Sequence, residues 1–131
     1  MADTQRPLSP HLQIYKRQVQ MVTSIVHRAT GIALAVGSLL VVAGLMQLAA
    51  GEESFNRFRE IIGSPIGMIL LLGWTWALFY HLCNGIRHLI QDAGLGYEIP
   101  QFIRSSWLTV LGSIVLTVLV WTYVLMAGGA A

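Results

Sequence analysis

The chain has 131 residues, of which 55% are hydrophobic and 11% charged, and its formal net charge is +2. Because a soluble domain carries roughly 25% charged residues, this composition excludes an ordinary water-soluble fold and indicates a membrane protein of one domain. The few basic residues form no dense patch, which argues against nucleic-acid binding, and the single Cys83 excludes an intrachain disulfide and an iron–sulfur cluster.

The N-terminal segment, about residues 1–20, is polar. It lacks the apolar core and small-residue cleavage site of a secretory signal, so we expect an uncleaved segment on the cytoplasmic side. It also lacks the Arg- and Ser-rich composition of an organelle presequence. This favours a bacterial inner membrane, although a processed chain of the mitochondrial inner membrane would look the same.

Three apolar stretches follow, at about residues 29–50, 66–90 and 106–127. Each reaches the roughly 20 residues that a helix needs to cross a hydrocarbon core about 30 Å thick. Unpaired backbone groups are too costly in lipid, and three strands cannot close a barrel. We therefore predict an all-α fold with three transmembrane helices, at about residues 21–50, 65–91 and 105–127.

The connectors between these helices differ in character. Residues 51–65 form a short, polar, amphipathic link, and Pro65 is suited to open the second helix. Residues 91–105 contain two glycines and Pro100, which predict a loop.

The basic residues predict the orientation. Six of them fall on the N-terminal side of the membrane: Arg6, Lys16, Arg17, Arg28, Arg87 and Arg104. Arg57 and Arg59 fall on the other side. The positive-inside rule then places the N-terminus and the second loop in the cytoplasm.

The first helix carries a polar stripe near its cytoplasmic end. Its members are spaced i, i+3, i+4 and i+7 and therefore share one face: Ser24, His27, Arg28 and Gly31. Structural interpretations without a ligand stay open for three of them. His27, like Arg28, is compatible with a residue of the membrane interface. Arg28 alone is typical of an arginine that extends toward lipid phosphates, and Ser24 of a serine that hydrogen-bonds its own helix.

The second helix carries a matching stripe, formed by His81, Gly85, His88 and Asp92. His81 lies about 10 Å deeper in the membrane than His88, at 1.5 Å per residue. An imidazole at that depth needs a polar partner. A haem iron is one candidate, with Gly85 leaving room for the flat macrocycle, and a hydrogen-bonding group on a neighbouring helix is the other.

A haem would also need donors or cations for its propionates near the membrane surface. Arg28, His27 and His88 lie at about that level. An arginine can bind a carboxylate with two parallel hydrogen bonds. These three residues are therefore the candidates for the vicinity of the propionates.

Three segments are more specific together than alone: RPLSPHLQIY (6–15), SIVHRATG (24–31) and HLCNGIRHLIQD (81–92). The last two contain the patterns S-x-x-H-R-x-T/S-G and H-x-x-x-G-x-R-H-x-x-x-D without departure. Together the segments resemble the cytochrome b membrane subunit of succinate dehydrogenase, respiratory complex II. The resemblance covers essentially the whole chain.

The resemblance implies specific roles. It implies that His81 is an axial ligand of haem b, which is shared with a second, smaller membrane-anchor subunit that supplies the other histidine. It implies that Ser24 and Arg28 contribute to a ubiquinone site between the membrane subunits and an iron–sulfur subunit, and that His27 and Arg28 lie near the haem propionates. A flavoprotein subunit would oxidise succinate.

We therefore expect one subunit of a heteromeric helical bundle that passes electrons from the iron–sulfur subunit to ubiquinone and is not catalytic alone. The third helix shows no comparable chemistry and is expected to pack. Two alternatives stay open. One is the membrane subunit of a quinol:fumarate reductase, and the other is a purely structural anchor without cofactor.

Overall fold

The computed structural model describes residues 18–128. In this part of the chain it contains four α-helices and no strand: α1 (Val19–Ala50), α2 (Glu52–Ile62), α3 (Pro65–Asp92) and α4 (Ile99–Gly128). The helices α1, α3 and α4 are long and apolar enough to cross a membrane. The prediction of an all-α fold with three membrane helices is confirmed. The segment RPLSPHLQIY and the basic residues before position 18 lie outside the described residues.

The link between the first two spans is itself a helix, α2. Gly51 separates it from α1 with a φ of 123°, a conformation that L side chains rarely adopt. Glu52 and Glu53 in the first turn of α2 and Arg59 in its last turn complement the helix dipole. Arg57 also forms an exposed ion pair with Glu53 one turn away. This polar link therefore folds as a short surface helix.

The turn from α2 into α3 is tight. The Ser64 side chain caps α3 by accepting a hydrogen bond from the Gly67 backbone N–H at 3.2 Å, and Pro65 occupies the first turn. A Cβ added at Gly67 would overlap the backbone carbonyl oxygen of Ile62. Glycine therefore allows the chain to reverse direction here.

The start of α4 differs from the prediction. The helix begins at Ile99, whereas the sequence predicted a loop to residue 105. The Phe102 N–H donates to the Glu98 carbonyl oxygen at 2.8 Å, so Glu98 opens the helix. Pro100 then lies in the first turn, where a backbone N–H has no partner within the helix and its absence costs little. Here the proline favours a helix start and does not exclude a helix.

The interior of the bundle consists of small and polar side chains. On α1 the buried residues recur every seven positions: Thr23, Thr30, Gly37 and Gly44. On α4 they are Ser106, Thr109, Ser113 and Thr117. Small residues allow helix backbones to approach closely in a membrane. The large apolar side chains mostly face outward, which suits contact with lipid.

The buried serine and threonine hydroxyl groups donate to backbone carbonyl oxygens of their own helices. Ser106 donates to the Phe102 carbonyl oxygen at 2.9 Å, and Thr117 donates to that of Ser113 at 2.8 Å. These bonds remove the cost of placing a hydroxyl group in an apolar environment. Both α1 and α3 contact each of the other three helices.

Candidate functional site

Three histidines meet where the N-terminal part of α1 packs against the C-terminal part of α3. The ring centroids of His27 and His81 are 3.9 Å apart, and their planes differ by 12°. The rings of His27 and His88 are 5.2 Å apart and tilted by 51°. All three residues are half-buried. The structure therefore brings the two polar stripes together at one end of the bundle.

His81 is held by hydrogen bonds from one of its ring nitrogens. Its Nδ1 atom lies 3.2 Å from the His27 carbonyl oxygen and 3.3 Å from the Thr30 hydroxyl oxygen. A carbonyl oxygen only accepts hydrogen bonds, so Nδ1 carries the ring proton. The other nitrogen, Nε2, then has a free lone pair. This is the tautomer that a histidine needs to bind a metal through Nε2.

Two glycines shape the space around His81. A Cβ added at Gly31 would lie 3.1 Å from Cε1 of His81, so Gly31 lets the imidazole rest against α1. A Cβ added at Gly85 would meet nothing within 4 Å. The side of α3 next to His81 is therefore open. A free Nε2 beside an open helix face fits a flat metal-containing group such as haem.

The stacked rings of His27 and His81 are not placed to hold one metal ion from opposite sides. Ring nitrogens bind metals in the plane of the ring, and two rings stacked at 3.9 Å direct their nitrogens alongside each other. Two axial ligands must instead point at one iron from opposite sides. The Nδ1 atom of His27 is buried and has no hydrogen-bond partner within residues 18–128.

Ser24 and Arg28 lie at the rim of the same region. Their neighbour Thr23 faces α3, where its carbonyl oxygen accepts a 3.0 Å hydrogen bond from the Tyr80 hydroxyl. Ser24 is half-buried and Arg28 is exposed.

Among the described residues the one ion pair joins Arg57 and Glu53, so no carboxylate described there neutralises Arg28. Arg28 can therefore bind an external anion. Asp92 is the exposed last residue of α3.

Arg87 is a buried charged residue to which the sequence assigned no role within the bundle. It is 6% exposed and points toward α4. Its Nε atom donates to the Ser105 hydroxyl at 3.0 Å, and its Nη1 atom donates to Asn84 Oδ1 at 3.3 Å. The guanidinium carbon lies 4.3 Å from the centre of the Phe102 ring. These contacts agree with the expectation that α4 serves to pack.

Two cavities lie away from the histidines. One of about 290 Å³ lies between α3 and α4 beside Arg87, and one of about 790 Å³ lies between α1, α2 and α3 and is lined by apolar side chains. Neither is lined by His27, His81 or His88. The histidines lie on an open face of the bundle, and a site there needs a second surface to enclose it.

The sequence was compared with known protein families. The family model described as succinate dehydrogenase/fumarate reductase transmembrane subunit matches residues 2–120. The chain belongs to this family. The resemblance identified from the three segments is confirmed, and the chain is a multi-pass membrane protein.

Similar curated proteins carry corresponding names. The chain is 44% identical over 122 residues to the succinate dehydrogenase cytochrome b556 subunit of Paracoccus denitrificans, which covers 91% of this chain and 94% of the relative. It is 41% identical over 116 residues to the cytochrome b556 subunit of Rickettsia conorii, at coverages of 88% and 90%. The human mitochondrial cytochrome b560 subunit is 40% identical over 114 residues, at coverages of 82% and 68%. Family members thus occur in bacteria and in mitochondria.

Proposed function

We propose that this chain is the haem b-binding membrane anchor of a succinate dehydrogenase complex and helps form the site at which ubiquinone is reduced. The observation that carries the proposal is the environment of the two ring nitrogens of His81. Its Nδ1 atom is hydrogen-bonded to α1, its Nε2 atom makes no hydrogen bond within residues 18–128, and the helix face beside it at Gly85 is open. The names of the similar proteins, which are cytochrome b subunits of succinate dehydrogenase, support the same conclusion.

In this proposal His81 holds haem b through Nε2. Another small membrane subunit would supply a second histidine, as the family resemblance implies, and the stacking of His27 on His81 is consistent with that. Haem b with two histidine ligands has no open position and supplies one-electron transfer. His27, Arg28 and His88 lie around the same face and are suited to the propionates. Arg28 is the strongest candidate because a guanidinium binds carboxylates bidentately.

Ubiquinone is the proposed substrate, and Ser24 and Arg28 are the residues of this chain that bind it. The Ser24 hydroxyl would donate a hydrogen bond to a quinone carbonyl oxygen. Arg28 would stabilise the negative charge that develops on that oxygen as electrons arrive, which is an electrostatic role. Neither side chain is fully buried in residues 18–128, since Ser24 is half-buried and Arg28 is exposed. A partner subunit can therefore complete the site.

The remaining chemistry is assigned to partner subunits. A flavoprotein subunit would oxidise succinate, and an iron–sulfur subunit would pass single electrons to the membrane. The basic residues support an orientation with this end of the bundle on the cytoplasmic side of a bacterial inner membrane, or on the equivalent side of a mitochondrial one. Protons for quinone reduction would then be drawn from that side.

The test is purification of the intact complex with this chain affinity-tagged. We expect the flavoprotein, iron–sulfur and second membrane subunits to co-purify, with one haem b for each complex. A complex without a b-type band in the reduced-minus-oxidised spectrum contradicts the haem assignment and leaves a structural anchor. Comparing succinate–quinone with quinol–fumarate rates in the same membranes separates the two physiological directions.

A further inference from the structure

Thr30 is a buried residue of α1 that has no role in the proposed function. We infer that Thr30 is a positioning residue for His81, which orients the imidazole and tunes the electron affinity of the iron bound to it. The inference rests on the proposed function, because it assigns to Thr30 a role toward the haem ligand. It adds a residue that acts through its hydrogen bond to His81.

The hydrogen bonds around Thr30 form a chain with a defined direction. The Thr30 hydroxyl donates to the His27 carbonyl oxygen at 2.9 Å. Its hydrogen is thereby used, so its oxygen is left to accept from Nδ1–H of His81 at 3.3 Å. The His27 carbonyl oxygen also lies 3.2 Å from the same Nδ1 atom. The imidazole proton is therefore shared between two acceptors, both on α1.

The local sequence makes this arrangement rigid. Thr30 is 4% exposed, and threonine has a restricted χ1 that its bond to the i−3 carbonyl oxygen fixes further. The next residue, Gly31, gives the His81 ring its place against the helix. His27 contributes its carbonyl oxygen and its stacked ring. One turn of α1 therefore determines both the plane and the tautomer of His81.

The hydrogen bond also has an electronic consequence. A histidine that donates its second N–H to an acceptor becomes a more basic metal ligand. A more basic ligand stabilises the oxidised iron relative to the reduced iron, so the bond lowers the reduction potential. Removing the Thr30 hydroxyl leaves the His27 carbonyl oxygen as the one acceptor described here. The potential should then rise.

Redox titration of the haem in the intact complex tests this. Thr30→Val removes the hydroxyl and keeps the side-chain shape. We expect the equilibrium between oxidised and reduced iron to shift about threefold to tenfold toward the reduced form, which is about 30 to 60 mV at 59 mV per tenfold for one electron. Thr30→Ser retains the hydroxyl and should restore the wild-type potential.

Thr23→Val is the matched control. Thr23 lies two turns earlier on the same buried face of α1, and its hydroxyl donates to the Gln20 carbonyl oxygen and not to His81. The Thr23→Val substitution should leave the reduction potential of the haem unchanged. Equal potentials in Thr30→Val and the wild type, or equal shifts in Thr30→Val and Thr23→Val, would overturn the inference.

Assembly is checked separately by co-purification of the flavoprotein and iron–sulfur subunits with the affinity-tagged chain. If Thr30→Val does not assemble, the smaller Thr30→Ala provides the same comparison with Thr30→Ser. A wild-type complex without haem b contradicts the proposed function itself, and with it this role for Thr30. If the wild-type complex contains haem b and Thr30→Val leaves its reduction potential unchanged, only the role of Thr30 is contradicted.

Discussion

The imidazole rings of His27 and His81 stack in parallel, with 3.9 Å between their centroids and 12° between their planes. His27 belongs to the polar stripe of α1, and His81 belongs to that of α3. The stack therefore joins two sequence motifs that are separated by 54 residues along the chain. It also leaves the ring edge of His81 that carries Nε2 available, because stacking covers the faces of a ring and not its edges.

Replacing His81 should remove the haem signal. In His81→Ala no imidazole is left to bind the iron, so we expect loss or conversion of the low-spin b-type band in the reduced-minus-oxidised spectrum of the purified complex. Cys83→Ala is the control, because Cys83 is also half-buried on α3 but lies outside the histidine cluster. An unchanged spectrum in His81→Ala means that another residue is the ligand.

Replacing Ser24 or Arg28 should separate quinone reduction from succinate oxidation. Loss of one preorganised donor or charge commonly lowers a rate by roughly 10²-fold. We expect Ser24→Ala and Arg28→Ala to reduce the succinate–quinone rate by about tenfold to hundredfold, while succinate oxidation with a dye acceptor persists. Ser38→Ala is the control, since Ser38 is exposed on the same helix and bonds to its own backbone. Equal loss of both activities would indicate failed assembly.

Much of the fold could be predicted from the sequence. Long apolar stretches determine the three spans, since a helix is the simplest way to satisfy the backbone of a single chain in lipid. The stripe of Ser24, His27, Arg28 and Gly31 follows from helical periodicity, and so does the opposing stripe of α3. The contact of His27 with His81 and His88 agrees with both stripes facing one another.

What could not be predicted depends on how the helices are rotated against each other. Thr30 lies on the buried face of α1, and only the packing against α3 puts its hydroxyl next to His81. Arg87 lies six positions after His81, which at 100° per residue turns it well away from the histidine stripe. Periodicity indicates that rotation, but it does not reveal that Ser105 and Phe102 of α4 receive the guanidinium.

The packing of α1 on α3 should be sensitive to one methyl group. A Cβ added at Gly37 would overlap the indole nitrogen of Trp74. We expect Gly37→Ala to destabilise the complex by about 1–3 kcal/mol, the usual cost of overpacking, measured as a lower thermal midpoint in detergent. In Gly73→Ala the new Cβ meets nothing within 4 Å. That variant should retain or slightly raise the midpoint, because alanine favours helix over glycine. Equal midpoints in the two variants would show that α1 and α3 do not pack this closely.

The guanidinium of Arg87 should stabilise the pair formed by α3 and α4 without affecting the haem. It is buried, it forms no ion pair with a carboxylate of residues 18–128, and it hydrogen-bonds both Ser105 and Asn84. Arg87→Met keeps much of the apolar stem but leaves the Asn84 oxygen without that donor. A buried polar group that loses its partner costs about 1–3 kcal/mol.

We therefore expect Arg87→Met to lower the thermal midpoint of the complex while the b-type spectrum of the assembled fraction stays that of the wild type. Arg104→Met is the matched control. Arg104 is exposed on α4, and surface substitutions usually change stability by no more than about 0.5 kcal/mol. A changed haem spectrum in Arg87→Met would instead mean that α4 influences the histidine site through α3, since Arg87 and His81 lie on different sides of that helix.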